Sequence, residues 1–219
     1  MHELWINFQH GGKMMWVILL FGVIEIGFII ERAIFLFGAG VDREIFSETM
    51  QKCILGGDVA KAIKVCSAQN APMARIVQAG LVKVNRPDEE VQAAMDEAAL
   101  REMPLINQRT GYLALLANLC MLAGLLGTVS GLIEAFGAVG GKSVDPSQKA
   151  TILAGGISEA MNCTQFGLFT AIYGLIGFAI LNGRTQKLED DINAVTVQVV
   201  NLVVANREKV SVQSAASAA

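Results

Sequence analysis

Between Leu113 and Val139 the chain reads LALLANLCMLAGLLGTVSGLIEAFGAV, an apolar run with few polar atoms. A helix rising ~1.5 Å per residue needs about 20 such residues to cross a hydrocarbon core of roughly 30 Å, so this run spans a bilayer with length to spare. Gly124, Gly127, Thr128 and Gly131 fall at i, i+3, i+4 and i+7 and share one helix face. In lipid, apolar side chains gain nothing by meeting one another. Small residues instead let two backbones approach, and the Gly127-xxx-Gly131 pair marks such a contact. Thr128 puts a hydroxyl inside it. The plainer alternative is a packing threonine bonded to its own i−4 carbonyl. The segment GLLGTVSG is no phosphate loop, because Leu132 and Ile133 stand where that motif needs Lys followed by Ser or Thr.

The remaining composition agrees. Of 219 residues 53% are hydrophobic and only 17% charged, with a mean hydropathy of +0.48, too apolar for a soluble domain. A net charge of −3 and a pI near 5.4 leave no basic footprint for nucleic acid. Cys53 and Cys66 lie among polar helices and Cys120 and Cys163 in apolar segments, without a CxxC pair, and all four read as small apolar residues. The two histidines, His2 and His10, sit near the terminus. Neither a metal site, a cofactor nor an enzymatic base and nucleophile set is expected.

Taken in order, residues 1–13 form a short extracytoplasmic N-terminus and 14–37 a first span. That span is too long and too poorly flanked for a cleavable signal peptide. Glu25 lies near its middle. An ionisable group there normally faces protein or water, which makes it a functional candidate, the alternative being a neutral acid hydrogen-bonded to a neighbouring helix. Arg32, near the span's end, can snorkel to the headgroups and pair with Glu31, and reads as an anchor. Residues 38–112 carry most of the basic residues and read as a cytoplasmic helical domain. Three short helices are punctuated by Gly56-Gly57, a capping Asp58, Asn70 with Pro72, and Pro87-Asp88. A long helix from Asp88 is then expected to run unbroken into the second span, 113–139. Residues 140–152 form an extracytoplasmic hairpin, 153–181 a third span and 182–209 a cytoplasmic helix. In that last helix Leu188, Ile192, Val195, Val199 and Leu202 make a short heptad seam. Residues 210–219 lack core-forming groups and are expected to be disordered.

The third span repeats the device of the second. Ala160, Thr164, Gly167, Ala171 and Gly174 share a face, with Asn162 and Gln165 beside the hydroxyl. Two small faces, each with one threonine, suit a channel wall better than packing alone. Each bare groove is expected to be poorly filled within one three-helix subunit, which predicts a homo-oligomer. Glu159, placed where the third span begins, either gathers cations at a channel mouth or caps the helix N-terminus. Basic residues concentrated in the middle block and the C-terminal segment put the N-terminus outside and the C-terminus in the cytoplasm. The fold class is therefore an all-α integral membrane protein of three transmembrane helices, the second and third extended as long cytoplasmic helices.

Four stretches resemble the MotA/TolQ/ExbB proton-channel family, most closely its ExbB/TolQ branch. IIERAIFLF at 29–37 is similar to the end of the family's first span, and NAPMARIVQAGL at 70–81 to its cytoplasmic P-x-x-x-I-x-x-x-G-L segment. LLGTVSGLIEAF at 125–136 and GISEAMNCTQFGLFTAI at 156–172 resemble the signatures of its second and third spans. Met121 and Tyr173 stand where the family usually has prolines. The resemblance implies a pentamer around a dimer of a single-span ExbD/TolR-type partner that carries the membrane aspartate, with a TonB/TolA-like energy transducer as a further partner. It also implies that Thr128, Thr164 and Glu159 line the ion path. The function it implies is a channel-forming stator subunit of an inner-membrane motor driven by ion motive force. A structural membrane scaffold and a sodium-driven member of the same family are the alternatives.

Overall fold

The computed structural model describes residues 12–140 and 145–206, which form seven α-helices and, among the described residues, no strand. Three helices are long and apolar enough to cross a membrane: α1 (Gly12–Gly38), α6 (Thr110–Gly140) and α7 (Pro146–Ala205). The chain is an all-α membrane protein. Between α1 and α6 come α2 (Arg43–Leu55), α3 (Val59–Ala68), α4 (Pro72–Val82) and α5 (Asp88–Asn107). With 60 residues, α7 runs without interruption well past bilayer length, through Asn182-Gly183-Arg184. Residues 1–11, with His2 and His10, residues 141–144 of the expected hairpin and the tail from 207 lie outside the described residues.

Two boundaries differ from the sequence reading. The helix from Asp88 stops at Asn107, and α6 starts afresh at Thr110. Gln108 is extended at ψ 138° and Arg109 takes φ 68°, a left-handed conformation that costs an L-residue roughly 1 kcal/mol. The interruption falls in Gln-Arg-Thr-Gly, where two poor helix formers adjoin, one turn after Pro104 has removed a backbone donor. At the other end α7 begins at Pro146, inside the stretch read as hairpin. The Asp145 carbonyl accepts from the N–H groups of Gln148 and Lys149, and proline suits a first helical position because its missing N–H would be unsatisfied there anyway. Glu159 is consequently well inside α7 and does not cap the start of that helix.

Packing divides the chain into two compact units, Met1–Ala33 with Arg109–Leu181 and Ile34–Gln108 with Asn182–Ala219. In the second unit Asp58 caps its helix as expected, and Asp42, which the sequence reading did not single out, does the same. Asp42 accepts from the backbone N–H of Glu44 and Ile45 ahead of α2, and Asp58 from that of Lys61 ahead of α3. Pro72 opens α4, and Asp88, Glu89 and Glu90 oppose the helix dipole at the start of α5. Phe46, Met50, Ile54, Ile76, Leu81 and Met95 form the core, and a Cβ on Gly80 would collide with Met95, which fixes how closely α4 meets α5. The C-terminal part of α7 completes this core. Leu188, Ile192, Val195 and Val199 are buried as the heptad predicts, but the next buried position is Val203 and not Leu202. A straight helix of 3.6 residues per turn drifts past a 3.5-residue repeat, and after two heptads the drift has moved the seam by one residue. Ser47 on α2 donates to Gln198 at 2.7 Å, and Arg43 reaches Asp191 at 3.5 Å, tying α2 alongside.

All four cysteines are free and buried. Burial, with Cys53 nearby, pushes the Cys66 thiol up to about 11, and its Sγ rests 3.7 Å from Met50 Sδ. The reactive species is the thiolate, so Cys66 should resist a maleimide at about pH 7.5 in the native protein and react only after denaturation. Prompt native labelling, read by peptide mass spectrometry, would show that this core opens.

Candidate functional site

In the first unit the two small faces meet each other. A Cβ on Gly124 would lie 3.2 Å from Gly167 Cα and 3.3 Å from the Cys163 carbonyl oxygen, and one on Gly167 would lie 2.8 Å from the Cys120 carbonyl oxygen and 2.9 Å from Gly124 Cα. Backbone therefore touches backbone. One turn along, a Cβ on Gly127 would overlap Cys163 Sγ and approach Met14 of α1, and two turns along, one on Gly131 would stand 3.2 Å from that of Ala160. At the far end Gly156 accommodates Ala135. This corrects the expectation that each groove would be left bare within one subunit: α6 and α7 fill one another's grooves inside the chain. The reason is that both stripes repeat at the same three-and-four spacing, so antiparallel helices interdigitate glycine against glycine.

That contact brings Thr128 and Thr164 together. Their hydroxyls are hydrogen-bonded to each other, and each also lies within bonding distance of the Gly124 carbonyl, 3.1 Å from Thr128 and 3.0 Å from Thr164. Two hydroxyls have two protons, whereas three contacts need three. One contact is always without a proton, and with the hydroxyls bonded to each other two arrangements of nearly equal geometry follow: Thr128 donates to Gly124 while Thr164 donates to Thr128, or the roles reverse. The Thr128 bond to its own i−4 carbonyl is the packing geometry, and the Thr164 bond crosses between helices. Both threonines remain half-buried. Ser130, on the next turn, returns its hydroxyl to the Leu126 and Gly127 carbonyls. Among the described residues no cluster of His, Cys, Asp or Glu could hold a metal ion.

The other sequence candidates are spread along α1 and α7. Glu159 lies half-buried with its carboxylate in the space beside Gly12, which opens α1 at φ 65°. Ala160, Ala171 and Gly174 are buried, and Asn162 is half-buried. Glu25 is only 2% exposed and lies against Gly174, away from the threonine pair. Arg32 does not snorkel: it is 4% exposed and pairs with Glu31 at 3.3 Å, whose carboxylate also takes Arg109 at 2.7 Å. The pair with Glu31 is the expected one, whereas the burial of the guanidinium is not. Sequence reasoning missed the α1 side of the packing, where Gly22 meets Thr170 and Gly177 meets Ile29. The signal was present in Thr170, Gly174 and Gly177, which repeat the same spacing.

These contacts rank the glycines. Gly167→Ala should be the most damaging, because its new methyl meets backbone atoms that cannot move aside, while Gly131→Ala should lose less against a single Ala160 methyl. Gly155→Ala, with nothing within 4 Å, should leave yield and thermal stability in detergent unchanged. Equal tolerance at all three positions would mean that the helices do not touch there.

Comparison with known proteins bears on the whole arrangement. The chain is 28% identical over 190 residues to "Putative biopolymer transport protein ExbB-like 3" of Synechocystis sp., covering 82% of this chain and 90% of that protein. It is 36% identical over 100 residues to the "Tol-Pal system protein TolQ" of Haemophilus influenzae, covering 45% and 42% respectively. A "Putative biopolymer transport protein ExbB homolog" of Methanothermobacter thermautotrophicus is 28% identical over 149 residues, 68% of this chain and 49% of that one. The model of the MotA/TolQ/ExbB proton channel family matches residues 68–194, more than half of the chain and inclusive of both threonines and both small faces, and the chain belongs to that family.

Proposed function

We propose that this chain is the channel-forming stator subunit of an inner-membrane motor, in which ion flow, with the proton as the ion, is converted into motion of a partner. The observation that carries the reading is the half-buried Thr128–Thr164 pair sharing one carbonyl inside a three-span apolar bundle. A hydroxyl pair with one contact always lacking a proton can accept or donate toward a passing water or ion without presenting a fixed charge that would trap it. The pair contains no carboxylate, so the reading places the ion-carrying acid on a single-span partner of the ExbD/TolR type, with five copies of this chain around two of the partner. Names of the relatives point the same way, being biopolymer transport and Tol-Pal proteins. A TonB/TolA-like transducer would take the output. N-terminus outside and C-terminus in the cytoplasm is the orientation that the distribution of Lys and Arg supports. Glu159 would gather cations at the extracytoplasmic side.

A second reading, a membrane scaffold, has one observation in its favour: the small faces fill one another and Thr128 makes the packing bond to Gly124. Ion flux into proteoliposomes containing this chain and its single-span partner separates the two. Thr→Ser at either site keeps the hydroxyl and should conduct. Thr128→Val or Thr164→Val should slow flux about tenfold, the rate equivalent of one hydrogen bond of roughly 1.4 kcal/mol, and the double variant should nearly abolish it. Val variants that assemble and conduct like the unaltered protein would leave the scaffold reading in place.

A further inference from the structure

The threonine pair leaves a buried carboxyl of the same unit unexplained. Glu25 lies near the middle of α1, is 2% exposed, and its Oε1 has no hydrogen-bond partner. Its niche is made by a glycine, since a Cβ on Gly174 of α7 would overlap the carboxyl group. Packing is close on both sides of the niche. A Cβ on Gly22 would lie 3.0 Å from the Thr170 methyl, and one on Gly177 would lie 2.7 Å from Ile29 Cδ1. Steps of three and four along both helices thus seat α1 on α7 with the carboxyl between them. From α6 the facing titratable group is the buried thiol of Cys120. From α7 the contact is the backbone of Gly174. Along α1 itself, Glu31 and Arg32 come about two turns later and are engaged with each other and with Arg109. Glu25 is in none of the ion pairs among the described residues.

An ionised carboxylate enclosed by hydrocarbon, with no cation and an oxygen without a donor, is strongly disfavoured against the neutral acid. In water the preference reverses at neutral pH. The protonation state of this one group is therefore tied to whether water reaches the niche between α1 and α7.

We propose that Glu25 is a proton-exchange site belonging to this chain itself: its carboxyl holds a proton while the niche against Gly174 is closed and dry, and releases it when water enters between α1 and α7. In the release step one carboxyl O–H bond breaks, the proton passes to water, and the electron pair stays on the carboxylate. No other reactant takes part. The site lies on the α7 face that carries Thr164, ten residues further on (164 to 174), roughly 15 Å along the axis. It supplies a protonatable carboxyl that the threonine pair lacks, and it stands whether or not that pair conducts.

Infrared difference spectroscopy of the full chain in lipid nanodiscs, without a partner, reads the carbonyl stretch of a protonated acid. Between about pH 5 and about pH 9 one acid band should fall with rising pH and be missing in Glu25→Gln. Gly174→Ala, which wedges α1 outward and lets water reach the carboxyl, should release the proton at lower pH. A hydrophobic carbodiimide, which couples to protonated buried acids, gives a second readout on the unaltered protein: an adduct at Glu25 in acid that declines in base. A Glu25→Gln spectrum superimposing on that of the unaltered protein at every pH would overturn the proposal. So would a carbodiimide adduct at Glu25 whose abundance does not change with pH.

Discussion

The first unit depends on one contact, the approach of α6 and α7 at Gly124 and Gly167. In water such a crossing would be driven by burial of larger side chains. In lipid that driving force is absent, and what remains is dispersion between well-fitted surfaces and hydrogen bonds that lipid cannot supply. Both act at short range, so backbones must come close. Gly167 stands against the Cys120 carbonyl and the Gly124 Cα at distances that leave no room for a methyl group. Closeness then has a chemical result, because a carbonyl of one helix comes within bonding distance of a hydroxyl on the other.

Polar groups in an apolar bundle are costly unless they find partners, and this unit handles them in several ways. Thr128 and Thr164 share an acceptor and each other, so neither is orphaned, yet the proton arrangement is not unique. Arg32, buried near the end of its span, is balanced by Glu31, which Arg109 also holds. That second arginine comes from the residue whose left-handed backbone breaks α5 from α6, so the break also aims a side chain at the first span. Glu25 has neither kind of support at Oε1 and is accommodated by the missing side chain of Gly174. Outward-facing positions such as Ile26, Leu122, Leu125 and Ile176 stay exposed and apolar, as lipid-facing surfaces require.

Much of this was legible in the residues and some was not, for physical reasons. Helix class and the three spans follow from apolar runs of bilayer length, and Asp58, Pro72 and Pro87-Asp88 mark local starts that need no tertiary information. The two glycine stripes were legible as faces, but their partner was not. A stripe at three-and-four spacing fits any similar stripe, in the same chain or in another copy, and only the packing shows that Gly124 meets Gly167. Glu159 illustrates the same limit at a boundary. The apolar signal begins near residue 153, whereas the helix begins at Pro146, because a polar first turn carries no hydropathy signal. Nor does composition reveal the break at Arg109, where two helix-compatible segments join through one left-handed residue.

The central claim is that α6 and α7 of a single chain close on each other and so pair the two threonines. Its most direct test is disulfide formation in a Thr128→Cys, Thr164→Cys variant in which Cys120 and Cys163 are replaced by alanine. Mild oxidation in the membrane, followed by a non-reducing gel and thiol counting, separates the possibilities. The structure predicts loss of both introduced thiols in a band of monomer mass. Cross-linked dimers with no intramolecular product would contradict it, and would return the small faces to the contacts between subunits.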